Sequence, residues 1–324
     1  MEANGELTSP PGADPRTATE PHMPNRMTTA EHRGYQQICD KNGRMMVVAA
    51  DQRGAMRKIL AATPEEQAKI DEHKLGDVKS DIVAYLANAA SCVLLDPVCA
   101  VPRVVDERIL ARDTALLIGL DATGWDTDAR GHRLSRLVPG IHARRVRELG
   151  GTGGKLMVYL RPDRPEANSH NIRIIRECVA DFAREDLLLV VEILTYAFRD
   201  EGEAEYEASF RGLIEGCTRI ALQEGSKVLK LPYPGSAASC RAISDIAGDV
   251  PWAVLSAGVD HETFLGQVEI AMKNGASGVI AGRALWKDCI SLDRKVARDR
   301  LARVALPRLK QIQALLDAFS APRR

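Results

Sequence analysis

The amino-acid sequence predicts one α/β domain, a (β/α)8 TIM barrel, behind a disordered N-terminal tail. From residue 44 onward, eight short apolar runs alternate with longer segments of helical pattern. The runs are continuously apolar, as parallel strands buried on both faces require. Eight strand–helix units over about 250 residues match the dimensions of this fold. The rival is an open doubly wound sheet. It is disfavoured because no G-x-G-x-x-G follows the first run, where a dinucleotide fingerprint would sit.

The runs, in order, begin with "RMMVVAAD" (44–51) and "SCVLLDP" (91–97). Between them, "PEEQAKIDEHKLGDVKSDIVAYLANAA" carries apolar residues at helical spacing. "ALLIGL" (115–120), "GGKLMVYL" (153–160) and "LLLVVEIL" (187–194) follow. A helical segment, "EAEYEASFRGLIEGCTRIALQEG", then leads to "KVLKLPY" (227–233), "PWAVLSAG" (251–258) and "SGVIAGR" (277–283). The last stretch, "LDRKVARDRLARVALPRLKQIQALLDAF", reads as a terminal helix interrupted at Pro307. Residues 1–27, rich in Pro, Thr, Glu and Gly, are expected to be a disordered tail, leaving 28–324 for the barrel.

Composition narrows the function. Lys+Arg and Asp+Glu balance at 44 each, so no basic excess argues for nucleic acid or an anionic membrane. No apolar run approaches the ~20 residues that span a bilayer, and no leader pattern opens the chain. The seven cysteines are odd in number and lack C-x-x-C spacing, so they read as reduced thiols of a cytoplasmic enzyme. The histidines lie in the tail, helices or loops, and none closes a strand as a zinc site would need. Neither a metal nor any other cofactor is expected.

Barrel chemistry lies at the C-terminal ends of the strands. There the first run ends in Asp51, followed by Gln52 and Arg53, and the second ends in Asp96. The fourth carries Lys155, the fifth Glu192 and the sixth Lys230; Ser256-Ala257-Gly258 and Gly282-Arg283 end the last two. Glu192 shares parity with Val190 and Leu188, and Lys230 with Val228, so each points where its neighbours point. A buried lysine is costly and needs a reason. An amine attacks a ketone only when neutral, and burial beside a second cation favours that form. Lys155 would supply the second charge, or else contact a phosphate or substrate hydroxyl; the residues do not separate these roles. A lysine so activated forms a Schiff base, and Glu192 or Asp51 would move the proton for C–C cleavage.

Phosphate binding is argued separately. Barrels often grip phosphate between the loops after strands seven and eight. Here Ser256 offers a hydroxyl, Gly258 and Gly282 allow close backbone approach, and Arg283 offers a charged fork. A phosphorylated keto compound is the expected substrate. Blander readings stand beside these. Asp96 before Pro97 is as readily a turn residue, the glycines of "GGTGGK" as readily turn residues, and Trp125 packing; Lys230 could simply snorkel from the barrel mouth.

Taken together, "AADQRGAMRKIL", "CVLLDP", "ATGWD", "GGKLMVYL", "VVEILTY", "VLKLPY", "LSAGVDHETF" and "GVIAGRALW" resemble the tagatose-1,6-bisphosphate aldolases and their sister sulfofructose-phosphate aldolases. The likeness runs in order from about residue 40 to 287. It implies a metal-free class I aldolase barrel releasing dihydroxyacetone phosphate from a phosphorylated ketose. By motif match it places the Schiff-base lysine on Lys230 and the acid/base on Glu192, with Asp51 and Lys155 as a supporting pair. Ser256, Gly282 and Arg283 look like the phosphate grip, and Gln52 and Arg53 face the far end of the substrate. The segment after the sixth run is compact, like that of the sulfosugar members, so the far group is phosphate, sulfonate or another anion. Barrels of this type often self-associate, but the sequence shows no interface. A non-cleaving isomerase and an idle sugar-phosphate-binding protein are the alternatives from other classes.

Overall fold

The computed structural model describes residues 25–319. The expected tail therefore lies, over residues 1–24, outside the described residues. Met27, its last expected residue, already packs against the apolar interior of the barrel.

The strands in chain order are β1 (Met45–Ala50), β2 (Cys92–Leu95), β3 (Ala115–Gly119), β4 (Asp121–Thr127) and β5 (Arg133–Leu137). They continue with β6 (Gly153–Tyr159), β7 (Leu188–Leu194), β8 (Leu229–Pro232), β9 (Trp252–Leu255) and β10 (Gly278–Ala281). Eight of them close a parallel barrel in the order β1-β10-β9-β8-β7-β6-β3-β2. Each falls on one of the apolar runs. Strands β4 and β5 are an antiparallel hairpin standing apart from the barrel.

Period-two geometry divides every barrel strand between two cores. Met45, Val47, Leu94, Leu117, Leu188, Val190, Val228 and Ile280 fill the barrel interior. Their neighbours Met46, Val48, Val93, Leu116, Val191, Leu229 and Val279 pack against the surrounding helices. Both faces are apolar, which is why the runs do not alternate.

Gly153 and Gly154 open β6, as the fourth run has it, and Gly150, at φ +77°, is a turn residue ahead of it. A Cβ on Gly154 would lie 2.4 Å from the Phe182 ring, so this strand rests directly on its helix. One local expectation is corrected. Pro307 does not interrupt the terminal helix. A π turn over Leu301–Ala305 joins Arg294–Arg300 to Leu306–Asp317 just before the proline, and so carries the chain past its missing N–H. Buried Leu301, Ala305, Leu309, Ile312 and Leu316 hold that helix on the barrel. Trp125, read as packing, lies on hairpin strand β4 with its ring 5.2 Å from that of Tyr159, and is 40% exposed.

Among the described residues, no helix is long and apolar enough to cross a membrane.

Candidate active site

Near the C-terminal ends of the strands, the interior-facing set turns from apolar to charged. On β7, Leu188 and Val190 give way to Glu192; on β8, Val228 gives way to Lys230. Glu192 and Lys230 are register partners on adjacent parallel strands, so their side chains stand side by side. Lys230 Nζ donates to Glu192 Oε2 at 2.8 Å. Lys155, on the next strand β6, lies 3.2 Å from the same oxygen. Its Nζ also donates to Asp121 Oδ1 at 2.6 Å and lies 2.7 Å from Asp51 Oδ2. Gly119 is the register partner of Lys155. A Cβ there would meet Asp51 at an ordinary contact distance of 3.6 Å, so Gly119 packs beside the carboxylate. Both lysines are buried, at 1% and 4% exposure for Lys155 and Lys230, and buried ions are tolerated only when paired.

Charge fixes the state of most of this cluster. Burial raises the Asp51 carboxyl, but the Lys155 and Lys230 ammoniums outweigh it and bring it down to about 2. Burial likewise opposes the Lys155 ammonium, yet Asp121, Asp51 and Glu192 together hold its pKa well above the ordinary lysine value. Lys155 is a permanent cation. For Asp121, burial raises the carboxyl, Lys155 opposes, and Asp51 and Glu192 add to a net upward shift. The second charge expected of Lys155 beside Lys230 is thus surrounded by three carboxylates, those of Asp51, Asp121 and Glu192.

Asp51, Gln52, Arg53, Lys155, Glu192 and Arg283 line one cavity of about 230 Å³, together with Asp121, Met157 and Tyr159. Lys230 is joined to the cavity through its pair with Glu192. Gln52 Nε2 donates to Asp51 Oδ1 at 2.9 Å, while its buried Oε1 has no hydrogen-bond partner. Arg53 is partly committed, with Nη2 donating to the Asp121 carbonyl at 2.9 Å. A Cβ on Gly282 would lie 3.5 Å from Gln52 Nε2, so that loop abuts the cavity wall.

The loops after β9 and β10 meet at Arg283, whose Nη2 donates to the Ala257 carbonyl at 3.2 Å. Ala257 and Gly258 both take positive φ, +47° and +92°, which curls the loop toward the guanidinium. Ser256 is buried just before the curl. Trp286 Nε1 donates to the Ala49 carbonyl at 3.0 Å and ties the Arg283–Trp286 turn to β1.

Asp96 falls outside this site. It pairs with buried Lys79 and accepts from the Val98 and Cys99 N–H groups, which makes it the turn residue of its blander reading. Two residues escaped the sequence. Asp121 directly follows the third run, in the place that Asp51 occupies after the first, and that parallel was the available signal. Lys287 Nζ donates to the Gly258 carbonyl at 2.7 Å and tethers the loop; no sequence pattern marks it.

A closed eight-stranded barrel with lysines and carboxylates converging at its C-terminal mouth defines a barrel enzyme of carbonyl chemistry. The sequence profile of the DeoC/LacD family aldolases matches residues 45–288. The chain belongs to that family and is an aldolase, a carbon–carbon lyase. It is 27% identical over 323 residues to tagatose 1,6-diphosphate aldolase 2 of Streptococcus agalactiae, covering 90% of this chain and 96% of that one. With the tagatose 1,6-diphosphate aldolase of Lactococcus lactis it shares 26% identity, over 91% and 98% of the two chains. Among solved structures, an archaeal fructose 1,6-bisphosphate aldolase superposes with a TM-score of 0.58 at 19% identity, covering 88% of this chain and 98% of that one. The fructose-bisphosphate aldolase of Slackia heliotrinireducens gives 0.61 at 16% identity, over 97% and 98%. These two likenesses speak for the fold.

Proposed function

We propose that Lys230 is the Schiff-base lysine and that the enzyme cleaves a ketose 1-phosphate or 1,6-bisphosphate, tagatose-1,6-bisphosphate-like, to dihydroxyacetone phosphate and an aldehyde. The observation that carries this is the Lys230–Glu192 pair at 2.8 Å, set in register at the barrel mouth. The names of the relatives support the substrate class.

In this reading Glu192 takes a proton from Lys230, and the free amine attacks the C2 carbonyl of the ketose. Glu192 returns the proton to the carbinolamine hydroxyl, water leaves, and an iminium forms. A carboxylate then removes the C4 hydroxyl proton, the C3–C4 bond breaks, and its electron pair flows into the iminium to give an enamine. The aldehyde departs. Protonation at C3 and addition of one water release dihydroxyacetone phosphate and restore the amine.

Glu192 is better suited than Asp51 to move these protons. Asp51, held at about 2, is too weak a base to exchange protons near neutrality. It serves with Asp121 to hold Lys155, and Lys155 in turn positions Glu192. The phosphate is gripped by Arg283 with the Ser256–Gly258 and Gly282 loops, and Gln52 Oε1 accepts from a substrate hydroxyl. A cytoplasmic setting suits the seven free, buried cysteines.

Borohydride trapping with dihydroxyacetone phosphate, followed by peptide mass spectrometry, tests the reading. A reduced adduct on Lys230 that Lys230→Ala abolishes is expected. An adduct on Lys155 would exchange the two lysines' roles. With ligand bound but no adduct formed, a non-cleaving isomerase or binding protein replaces the proposal.

A further inference from the structure

The hairpin carries a second cluster beside the cavity. The Arg133 guanidinium lies 3.9 Å from the centroid of the Trp125 ring, 4.7 Å from that of Tyr196 and 4.9 Å from that of Tyr159. The rings brace one another edge to face, Trp125 with Tyr159 at 5.2 Å and Tyr159 with Tyr196 at 6.0 Å. The backbone of Arg133 is fixed as well. Its N–H donates to the Tyr196 hydroxyl at 3.1 Å, and its carbonyl accepts from Asn171 Nδ2 at 2.8 Å.

What this arginine lacks is a carboxylate. Arg161, also stacked on an aromatic ring, is neutralised by Asp163 and Glu201. The hairpin's own carboxylates are engaged elsewhere, Asp126 with Arg136 at 3.2 Å and Asp128 with His132 at 2.9 Å. Among the described residues, Arg133 forms no ion pair. Part of the guanidinium edge is shared with the Tyr159 hydroxyl; no carboxylate takes its other N–H groups, which can bind an oxyanion beside ring surfaces that strengthen the bond.

Position supplies the second argument. Around the barrel, β3 and β6 lie across from β9 and β10, so the hairpin between them rises opposite the Ser256 and Arg283 loops. Tyr159 lines the cavity and also touches the Arg133 cluster. Its phenol is raised by burial, with Arg133 opposing and Glu192 and Asp121 adding, so the ring lies within electrostatic reach of both groups.

We propose that Arg133, caged by Trp125, Tyr159 and Tyr196, binds a terminal oxyanion (phosphate or sulfonate) at the aldehyde end of the substrate and sets the preference for doubly charged ketoses. The inference rests on the reading above, in which Arg283 holds the first phosphate. It differs from the expectation for Arg53, whose fork is partly committed to the Asp121 carbonyl.

The test measures affinity by calorimetry in the non-cleaving Lys230→Ala background, with and without Arg133→Met, for a ketose 1,6-bisphosphate, the matching 6-sulfonate and the ketose 1-phosphate, together with KM and kcat for wild type and Arg133→Met. Loss of one charge-assisted contact should weaken binding of the doubly charged ligands about 10- to 100-fold. The 1-phosphate and the dihydroxyacetone phosphate adduct should be unaffected. The doubly charged ligand that loses more identifies the oxyanion. Arg133→Lys, which keeps the charge but not the fork, should show a smaller loss in the same direction and serves if the methionine variant does not fold. Equal losses with all ligands would reduce Arg133 to a structural clamp. No loss, or discrimination lost in Arg53→Met instead, would overturn the proposal. Because binding is read without turnover, a wild type that forms no adduct on Lys230 would sink the cleavage mechanism while leaving this result legible.

Discussion

Two buried lysine–carboxylate clusters share this end of the barrel, and they are built differently. Lys79 and Asp96 form a closed pair: the lysine is fully buried, and the remaining capacity of Asp96 goes to the Val98 and Cys99 N–H groups at 3.0 and 2.9 Å. Burial raises Asp96, but Lys79 and those donors outweigh it and hold the carboxyl low. Nothing in the pair faces the cavity. In the second cluster, Lys155 and Lys230 meet Asp51, Asp121 and Glu192, and the carboxylates outnumber the cations. Beside it lie a cavity and the orphaned Gln52 Oε1. A saturated pair contributes only to the fold, whereas an unbalanced group with an acceptor still to be filled is arranged for a ligand and for moving protons.

Substitutions should separate the clusters. Glu192→Gln should lower kcat by about 10²- to 10⁴-fold, the span of a lost acid–base group. Borohydride trapping should slow with it, since Lys230 loses its proton acceptor, while ligand affinity stays near wild type; some stability should also be lost, because Glu192 is the carboxylate paired with buried Lys230. Unchanged trapping and kcat in the folded variant would make Glu192 structural. Lys79→Ala should do the reverse. It strands a buried carboxylate, so denaturant unfolding should report a loss of about 3–5 kcal/mol, with kcat of the folded enzyme nearly unchanged. Replacing both partners, Lys79→Met with Asp96→Asn, should recover most of that loss while keeping an acceptor for the two N–H groups. If the double variant is as unstable as the single one, the pair contributes more than mutual neutralisation.

How much of this was readable follows from the same physics. All eight barrel strands were legible because burial on both faces makes each an unbroken apolar run, and polar residues ending such runs stand out. Asp51, Lys155, Glu192 and Lys230 were visible for that reason, and the structure joins them in one network. Asp121 was as visible by position but hidden by its setting, since it lies just past one strand and begins another. The hairpin was missed because "DATGWDT" and "RLSRL" are largely exposed and mix polar with apolar residues, so no buried face imposes a clear pattern. Which lysine is balanced by how many carboxylates depends on neighbours brought in from β1, β3 and β7, and no single segment encodes it.

The finest distinction lies inside the second cluster, between two carboxylates on the same ammonium. Asp51 is held at about 2, below its ordinary value of 3.8, so its ionised form stabilises the fold. That contribution is present above the ordinary value and fades as pH falls toward 2, amounting to about 2 kcal/mol. Asp121 is shifted upward, so its contribution has the opposite sign: present below its ordinary value and lost as pH rises through the folded one. Unfolding free energies measured between pH 2 and 5 should therefore diverge. Asp51→Asn should flatten the acid-side loss of stability, and Asp121→Asn should steepen it. Parallel profiles would mean that Lys155 treats the two carboxylates alike, and the asymmetry that leaves Asp51 a fixed anion would be gone.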